Sequence, residues 1–192
     1  MRIISGSGHG RRLIAPRGWD TRPATARVRA SIFSRIASRL EIAGCRVLDL
    51  FAGSGSLGLE ALSRGAASAV FVDSSRAAIA AITRNLHVLG LEARAQVMQL
   101  DVQRALTELS AAGERFHLIF VDPPFAQDSS GEVLAKLSRL DLINVHGIVM
   151  VRQFYRAPEL EVAELERVNQ ATLGDHRIAL YRRAHAGAAA AV

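Results

Sequence analysis

Val47-Leu48-Asp49-Leu50-Phe51-Ala52-Gly53-Ser54-Gly55-Ser56-Leu57-Gly58 is a short apolar run with one acid inside it, followed by a G-x-G-x-x-G loop. A strand that feeds a glycine loop and opens a helix is the entry unit of a nucleotide-type α/β fold. Outward from this unit the chain alternates. After the first strand, 47–50, a helix is expected over 56–64, a strand over 69–72, a helix over 75–89 and a strand over 95–100. A helix to about 112, a strand over 117–121, a helix over 130–140 and a strand over 147–151 continue the pattern. Residues 159–167 read as helical, and 177–181 as a last strand. This βαβα order predicts a Rossmann-like, doubly wound sheet covered on both faces.

The glycine loop alone fits two ligands. A dinucleotide such as NAD rests its pyrophosphate on the helix N-terminus. S-adenosylmethionine (SAM) has no phosphate and needs glycines only for close approach of the backbone. The acids choose between them. A carboxylate at Asp49 opposes a pyrophosphate but suits the ammonium and sulfonium cations of SAM. Asp73 ends the second strand, 20 residues after Gly53, where an acid meets ribose hydroxyls in either reading. Asp101 ends the third strand, where it can accept from an adenine amino group; Asp73 and Asp101 also read as helix N-caps. The expected cofactor contacts are Asp49, Phe51, Gly53, Gly55, Asp73, Ser74, Asp101 and Val102.

A fourth acid follows the run Leu118-Ile119-Phe120-Val121, in Asp122-Pro123-Pro124-Phe125. This is a stiff ledge at the carboxyl edge of the sheet, where open α/β sheets bind ligands. Its parts suit chemistry on an exocyclic amine of a planar base. Asp122 can accept one N–H, and the carbonyls beside Pro123 and Pro124, whose rings lack N–H donors, can accept another. Phe125 offers a stacking face. An ordinary turn is the plain alternative, since Asp and Pro form turns.

The chain has 192 residues, 49% of them hydrophobic and 22% charged, which is globular composition for one domain. A single cysteine, Cys45, rules out an internal disulfide and fits a reducing cytoplasm. The histidines show no ligand-like spacing, so no metal site is expected, and no apolar run suits a signal peptide or a membrane span. The net charge is +6 and unevenly spread. Residues 1–39 hold nine arginines against Asp20, a balance of +8, which leaves −2 for the rest. A basic arm on a near-neutral body is the footprint of a nucleic-acid partner. The clustering carries that argument, whereas the preference for arginine does not, because the chain has only one lysine.

Residues 2–17 read as an irregular hairpin, followed by a loop and a helix from Thr25 to Leu40 with Val28, Ile32, Ile36 and Leu40 on one stripe. The expected division is a basic hairpin-and-helix extension over 1–40, a catalytic domain over 41–184 and a frayed tail over 185–192.

The run from Asp49 to Ala66, together with Asp122-Pro-Pro-Phe125, resembles the class I SAM-dependent methyltransferases. More narrowly it is similar to the RsmD family, bacterial enzymes that methylate N2 of a guanine in 16S ribosomal RNA. Arg2-Ile-Ile-Ser-Gly, Gly10-Arg-Arg-Leu13 and Thr21-Arg-Pro-Ala-Thr-Ala-Arg-Val-Arg29 carry the narrower likeness. The resemblance implies SAM as cofactor, Asp122 to Phe125 as the catalytic ledge, and 16S RNA or an assembling small subunit as partner of a monomer. Arg11, Arg12, Arg22, Arg27 and Arg29 are the expected phosphate contacts. Four positions depart from the family: Ala26 and Ala30 replace its usual acids, Ser34 its asparagine, and Arg152 the glutamate after the fifth strand. The nearest rival is an adenine-N6 methyltransferase acting on DNA or RNA, because the same ledge serves that amine. A protein glutamine methyltransferase, an NAD-dependent oxidoreductase and an inactive nucleic-acid-binding relative are the others.

Overall fold

The computed structural model describes residues 1–16, 24–124 and 129–184. Its centre is a seven-stranded sheet in the order β3-β2-β1-β4-β5-β7-β6. The strands are β1 (Arg46–Leu50), β2 (Ser68–Asp73), β3 (Ala95–Gln99), β4 (Phe116–Val121), β5 (Ile143–Phe154), β6 (Leu165–Leu173) and β7 (His176–Arg183). The helices are α1 (Ala26–Ala37), α2 (Ser56–Ser63), α3 (Arg76–Leu89), α4 (Val102–Ala111) and α5 (Ser130–Arg139). β1 to β5 run parallel, and β7 pairs antiparallel with both β5 and β6.

Side-chain alternation splits the core into two layers. Val47, Phe71, Phe120 and Met150 face α1, α2 and α3, together with Ile3 and Leu13 of the N-terminal hairpin. Leu48, Val72, Val121 and Val151 face α4 and α5. Burial on both faces explains why these strands read as unbroken apolar runs. Phe33 of α1 meets Phe120 of β4 with ring centroids 5.8 Å apart, a tilted pair worth about 0.5–1.5 kcal/mol beyond burial. That contact seats α1 beside the strand that leads to Asp122.

Helix boundaries follow capping chemistry. The Thr25 hydroxyl accepts from Val28 N–H and starts α1, Ser75 does the same for α3, and Gly90 at φ +66° ends α3. α1 stops three residues before the expected Leu40. Among the described residues no helix is long and apolar enough to cross a membrane.

The expected helix over 159–167 does not form. Residues 158–164 are irregular, and β6 begins at Leu165. Glu159, Glu161, Glu164 and Glu166 are helix formers, but nonlocal pairing with β7 wins. The signal for it is Gly174-Asp175, a two-residue hairpin turn with Gly174 at φ +58°. β5 also extends well beyond the expected 147–151, reaching Phe154 and carrying Arg152 and Gln153 into buried positions.

Candidate active site

From β1 the chain passes to β2 and β3 on one side, and β4 and β5 lie on the other. The β1–β4 boundary is therefore the switch point, where doubly wound sheets open a crevice at their carboxyl edge. Leu50 pairs with Val121 in register, so Phe51 and Asp122 leave the sheet side by side. Phe51 turns the chain with φ +57°, a left-handed conformation rare for a bulky residue.

The loop that follows is held by its acids. Asp49 is 1% exposed, and its Oδ2 accepts from Gly58 N–H at 2.8 Å. Gly58 is the third residue of α2, so this amide is one of the orphan donors at a helix N-terminus. A pyrophosphate would need those donors, whereas here a carboxylate takes one. Burial above all pushes the Asp49 carboxyl well above the usual range; the charges of Asp122 and Asp73 add to the rise, and the Gly58 bond opposes it. A cation beside this buried carboxyl, with two acids near it, would favour its ionised form.

Asp73 ends β2, with Oδ2 accepting from Gly53 N–H and Oδ1 from Ser75 N–H, both at 2.8 Å. Gly55 caps α2 at φ +75°, a conformation that β-carbon-bearing residues rarely adopt. At Gly58 the demand is space: a β-carbon would lie 2.4 Å from the Phe71 ring and 3.1 Å from Asp49 Oδ2. This glycine lets α2 lie against β2 and lets its amide reach Asp49.

Asp101 is exposed and caps α4, its Oδ1 accepting from Gln103 and Arg104 N–H. Ser74 is exposed beside Asp73, and Val102 is buried as the first residue of α4. At the end of β4, Asp122 is half-buried, Pro123 buried and Pro124 half-buried. Phe125 lies outside the described residues. A separate surface cavity of about 440 Å³, lined by Leu160, Val162, Leu165, Arg167 and Tyr181, sits by the β6 edge and holds none of these acids.

The basic residues divide. Arg11 and Arg12 are exposed on the hairpin, and Arg27 is exposed on α1. Arg22 lies outside the described residues. Arg29, expected to grip phosphate, is instead 1% exposed and donates to the carbonyls of Ala24 and Arg2. It ties α1 to the N-terminal hairpin, and no phosphate in solvent can reach it in this arrangement.

Sequence reasoning overlooked three other residues. Glu60 is fully buried and accepts from Ile4 N–H, Ser5 N–H and Arg64 Nε. Asn85, also fully buried, accepts from Ile14 N–H and donates to the carbonyls of Ile14 and Ser54. It links the hairpin to the glycine loop. Arg152 of β5 donates from Nε to Asp122 Oδ1 at 2.5 Å. Position 152 stood out as a departure from the family, but nothing local named its partner.

The donor set fits a cationic, nucleoside-like ligand. Asp49 supplies a buried carboxyl and Asp73 a second one at the end of β2, while Gly58 lets α2 pack closely enough for its amide to reach Asp49. No basic group among these residues awaits a phosphate.

Residues 1–182 match the family described as conserved hypothetical protein 95. YlbH of Bacillus subtilis is 39% identical over 185 residues, covering 95% of this chain and 99% of that protein. Ribosomal RNA small subunit methyltransferase D of Escherichia coli is 42% identical over 125 residues, 65% of this chain and 60% of that protein. Among solved structures, yhhF from Escherichia coli superposes with a TM-score of 0.80 at 33% identity, covering 95% of this chain and 97% of that one.

Proposed function

We propose the following reaction for this chain, which belongs to the conserved hypothetical protein 95 family, that of the RsmD methyltransferases. The chain is a SAM-dependent methyltransferase of 16S ribosomal RNA, and its methyl acceptor is the exocyclic N2 amine of a guanine. The observation that carries this reading is the buried Asp49 carboxylate on the Gly58 amide, facing Asp122 across the switch point.

SAM, when bound, supplies an electrophilic methyl group on a sulfonium centre. Asp49 offers that cationic ligand its negative charge, and Asp73 offers ribose hydroxyls a carboxylate beside the Gly53 amide. Asp101 and Val102 would hold the adenine, and Phe51, Gly55 and Ser74 would complete the cofactor contacts.

The acceptor amine is a poor nucleophile, because its lone pair is delocalised into the ring. Asp122 and the Pro123 carbonyl each accept one N–H, which draws the nitrogen towards tetrahedral geometry. The transfer would leave S-adenosylhomocysteine, and the proton shed by the methylated amine would pass by way of Asp122 to solvent, so Asp122 need not be a strong base. Alignment supplies the largest share of the rate, up to roughly 7–11 kcal/mol in well-oriented cases. Phe125 is the stacking candidate by its place in the motif, a contact worth about 1–3 kcal/mol. Base pairing hides the amine, so the target is an unpaired or flipped nucleotide. Arg11, Arg12 and Arg27 are the phosphate contacts of the described surface.

The test uses labelled SAM with 16S RNA and with small-subunit particles, followed by nucleoside analysis. The expected product is N2-methylguanine, and Asp122→Ala lowers turnover by about 100-fold or more while S-adenosylhomocysteine still binds. N6-methyladenine as the product would transfer the assignment to the rival amine, and full turnover by Asp122→Ala would remove the ledge from the mechanism.

A further inference from the structure

The Asp122 carboxylate is not left to the ledge. Arg152 Nε donates to its Oδ1, and the two side chains are only 8% and 14% exposed. The same guanidinium places Nη1 at 3.1 Å from Nδ1 of His176, the first residue of β7. A guanidinium only donates, so the histidine nitrogen accepts. The main chain of Arg152 is pinned opposite Ile178 of β7. Alternation along β5 puts Arg152 on the Met150 side, the face that carries α1, α2 and α3 and the face towards which Asp49 points.

A buried ion pair is costly to desolvate, and apolar side chains of the same volume often stabilise as well. Stability alone therefore does not account for it. The pair does specify direction. One oxygen of Asp122 is tied to β5, and among the described residues the other, Oδ2, accepts no hydrogen bond. The guanidinium also offsets part of the charge of Asp122, which lessens its competition with Asp49 and Asp73 for a cation. A bare third carboxylate would compete with them for it.

We propose that Arg152 is a positioning residue for the methyl acceptor: by binding Oδ1 it fixes the plane of the Asp122 carboxylate and reserves Oδ2 for the amine N–H of the base. This rests on the reaction proposed above and adds a residue to it. It also gives the β6–β7 hairpin a function, since the turn at Gly174-Asp175 delivers His176 to the far side of the guanidinium.

The experiment compares wild type, Arg152→Gln, Arg152→Lys, Asp122→Asn and the double variant Asp122→Asn/Arg152→Gln. Each is assayed with labelled SAM on 16S RNA and on small-subunit particles, and each is melted with and without S-adenosylhomocysteine. Arg152→Gln is expected to lower kcat by roughly 10- to 100-fold, the scale of a small misplacement of a reacting group. The KM for SAM and the melting shift caused by S-adenosylhomocysteine stay at wild-type values. Arg152→Lys, with one point charge and no planar fork, recovers part of kcat. The double variant is no slower than Asp122→Asn, because both changes remove one device. Wild-type kcat in Arg152→Gln overturns the inference, as does an additive double variant or a kcat loss matched by loss of the melting shift. A wild-type chain that methylates no RNA overturns the reaction itself and the inference with it, whereas an active wild type with an indifferent Arg152→Gln overturns the inference alone.

Discussion

The amide of Gly58 donates to Oδ2 of Asp49 across 2.8 Å, although the whole glycine loop lies between them in the chain. One bond thereby sets the angle of α2 on β1, takes up a helix-terminal donor and holds a buried carboxyl at the β1–β4 switch point.

Gly58→Ala tests the close approach. The added methyl would lie 2.4 Å from the Phe71 ring, which is itself fully buried. Overpacking of this kind costs about 1–3 kcal/mol. A lowered melting temperature and weakened SAM binding are both expected in calorimetry, and a variant as stable as wild type would show that α2 can slide.

Asp49 is expected to make SAM binding depend on pH. Its carboxyl titrates above the ordinary range in the fold, with burial the largest cause. The folded chain thus keeps a proton that the unfolded chain has already lost, so this group costs stability as pH rises from the ordinary aspartate range towards its raised value. Below that window the cost is absent. A cation beside Asp49 favours the ionised form, so SAM binding releases a proton and tightens as pH rises through the window. Titration calorimetry in two buffers of different ionisation enthalpy measures the proton. Asp49→Asn is expected to abolish it, and proton uptake on binding would contradict the arrangement.

The exposed and buried arginines separate under salt. Replacing Arg11 and Arg12 by Gln should flatten the salt dependence of RNA binding by roughly one to two contacts, with the fold intact. Arg29→Gln should instead lower stability by about 1–3 kcal/mol, because the carbonyls of Ala24 and Arg2 lose their donor. Equal salt slopes for wild type and the hairpin double variant would dismiss the hairpin as an RNA arm.

Glu60 secures that hairpin to α2. Glu60→Ala leaves the Ile4 and Ser5 amides and the Arg64 guanidinium without their shared acceptor. Removing one member of a buried charged pair costs about 3 kcal/mol or more. Faster proteolysis within residues 1–14, with the sheet still folded by circular dichroism, is the expected result; uniform cleavage across the chain would mean that hairpin and sheet unfold together.

Local signals carried much of the architecture. The strand, glycine loop and helix around Asp49 were legible because each depends on contacts within a few residues: apolar runs, caps and positive φ. The strand-end acids were legible for the same reason, since a β-strand ends where its apolar run ends. Residues 159–167 misled because their glutamates favour a helix locally, while the pairing that makes β6 a strand is made with β7. Arg29 misled because a charged side chain beside an apolar stripe reads as solvated, and the carbonyls that bury it come from Arg2 and Ala24.

Taken alone, the order of residues determined the doubly wound class and the places of Asp49, Asp73 and Asp122 along the strands. Tertiary structure alone decided that Asp49 meets Gly58, that Arg29 is a brace, and that Asp122 is held by Arg152 while His176 backs the guanidinium. The physical reason is distance along the chain. Backbone preferences act within a turn or a strand, but a carboxylate's partner is whichever donor the sheet order brings alongside, here 30 residues further on.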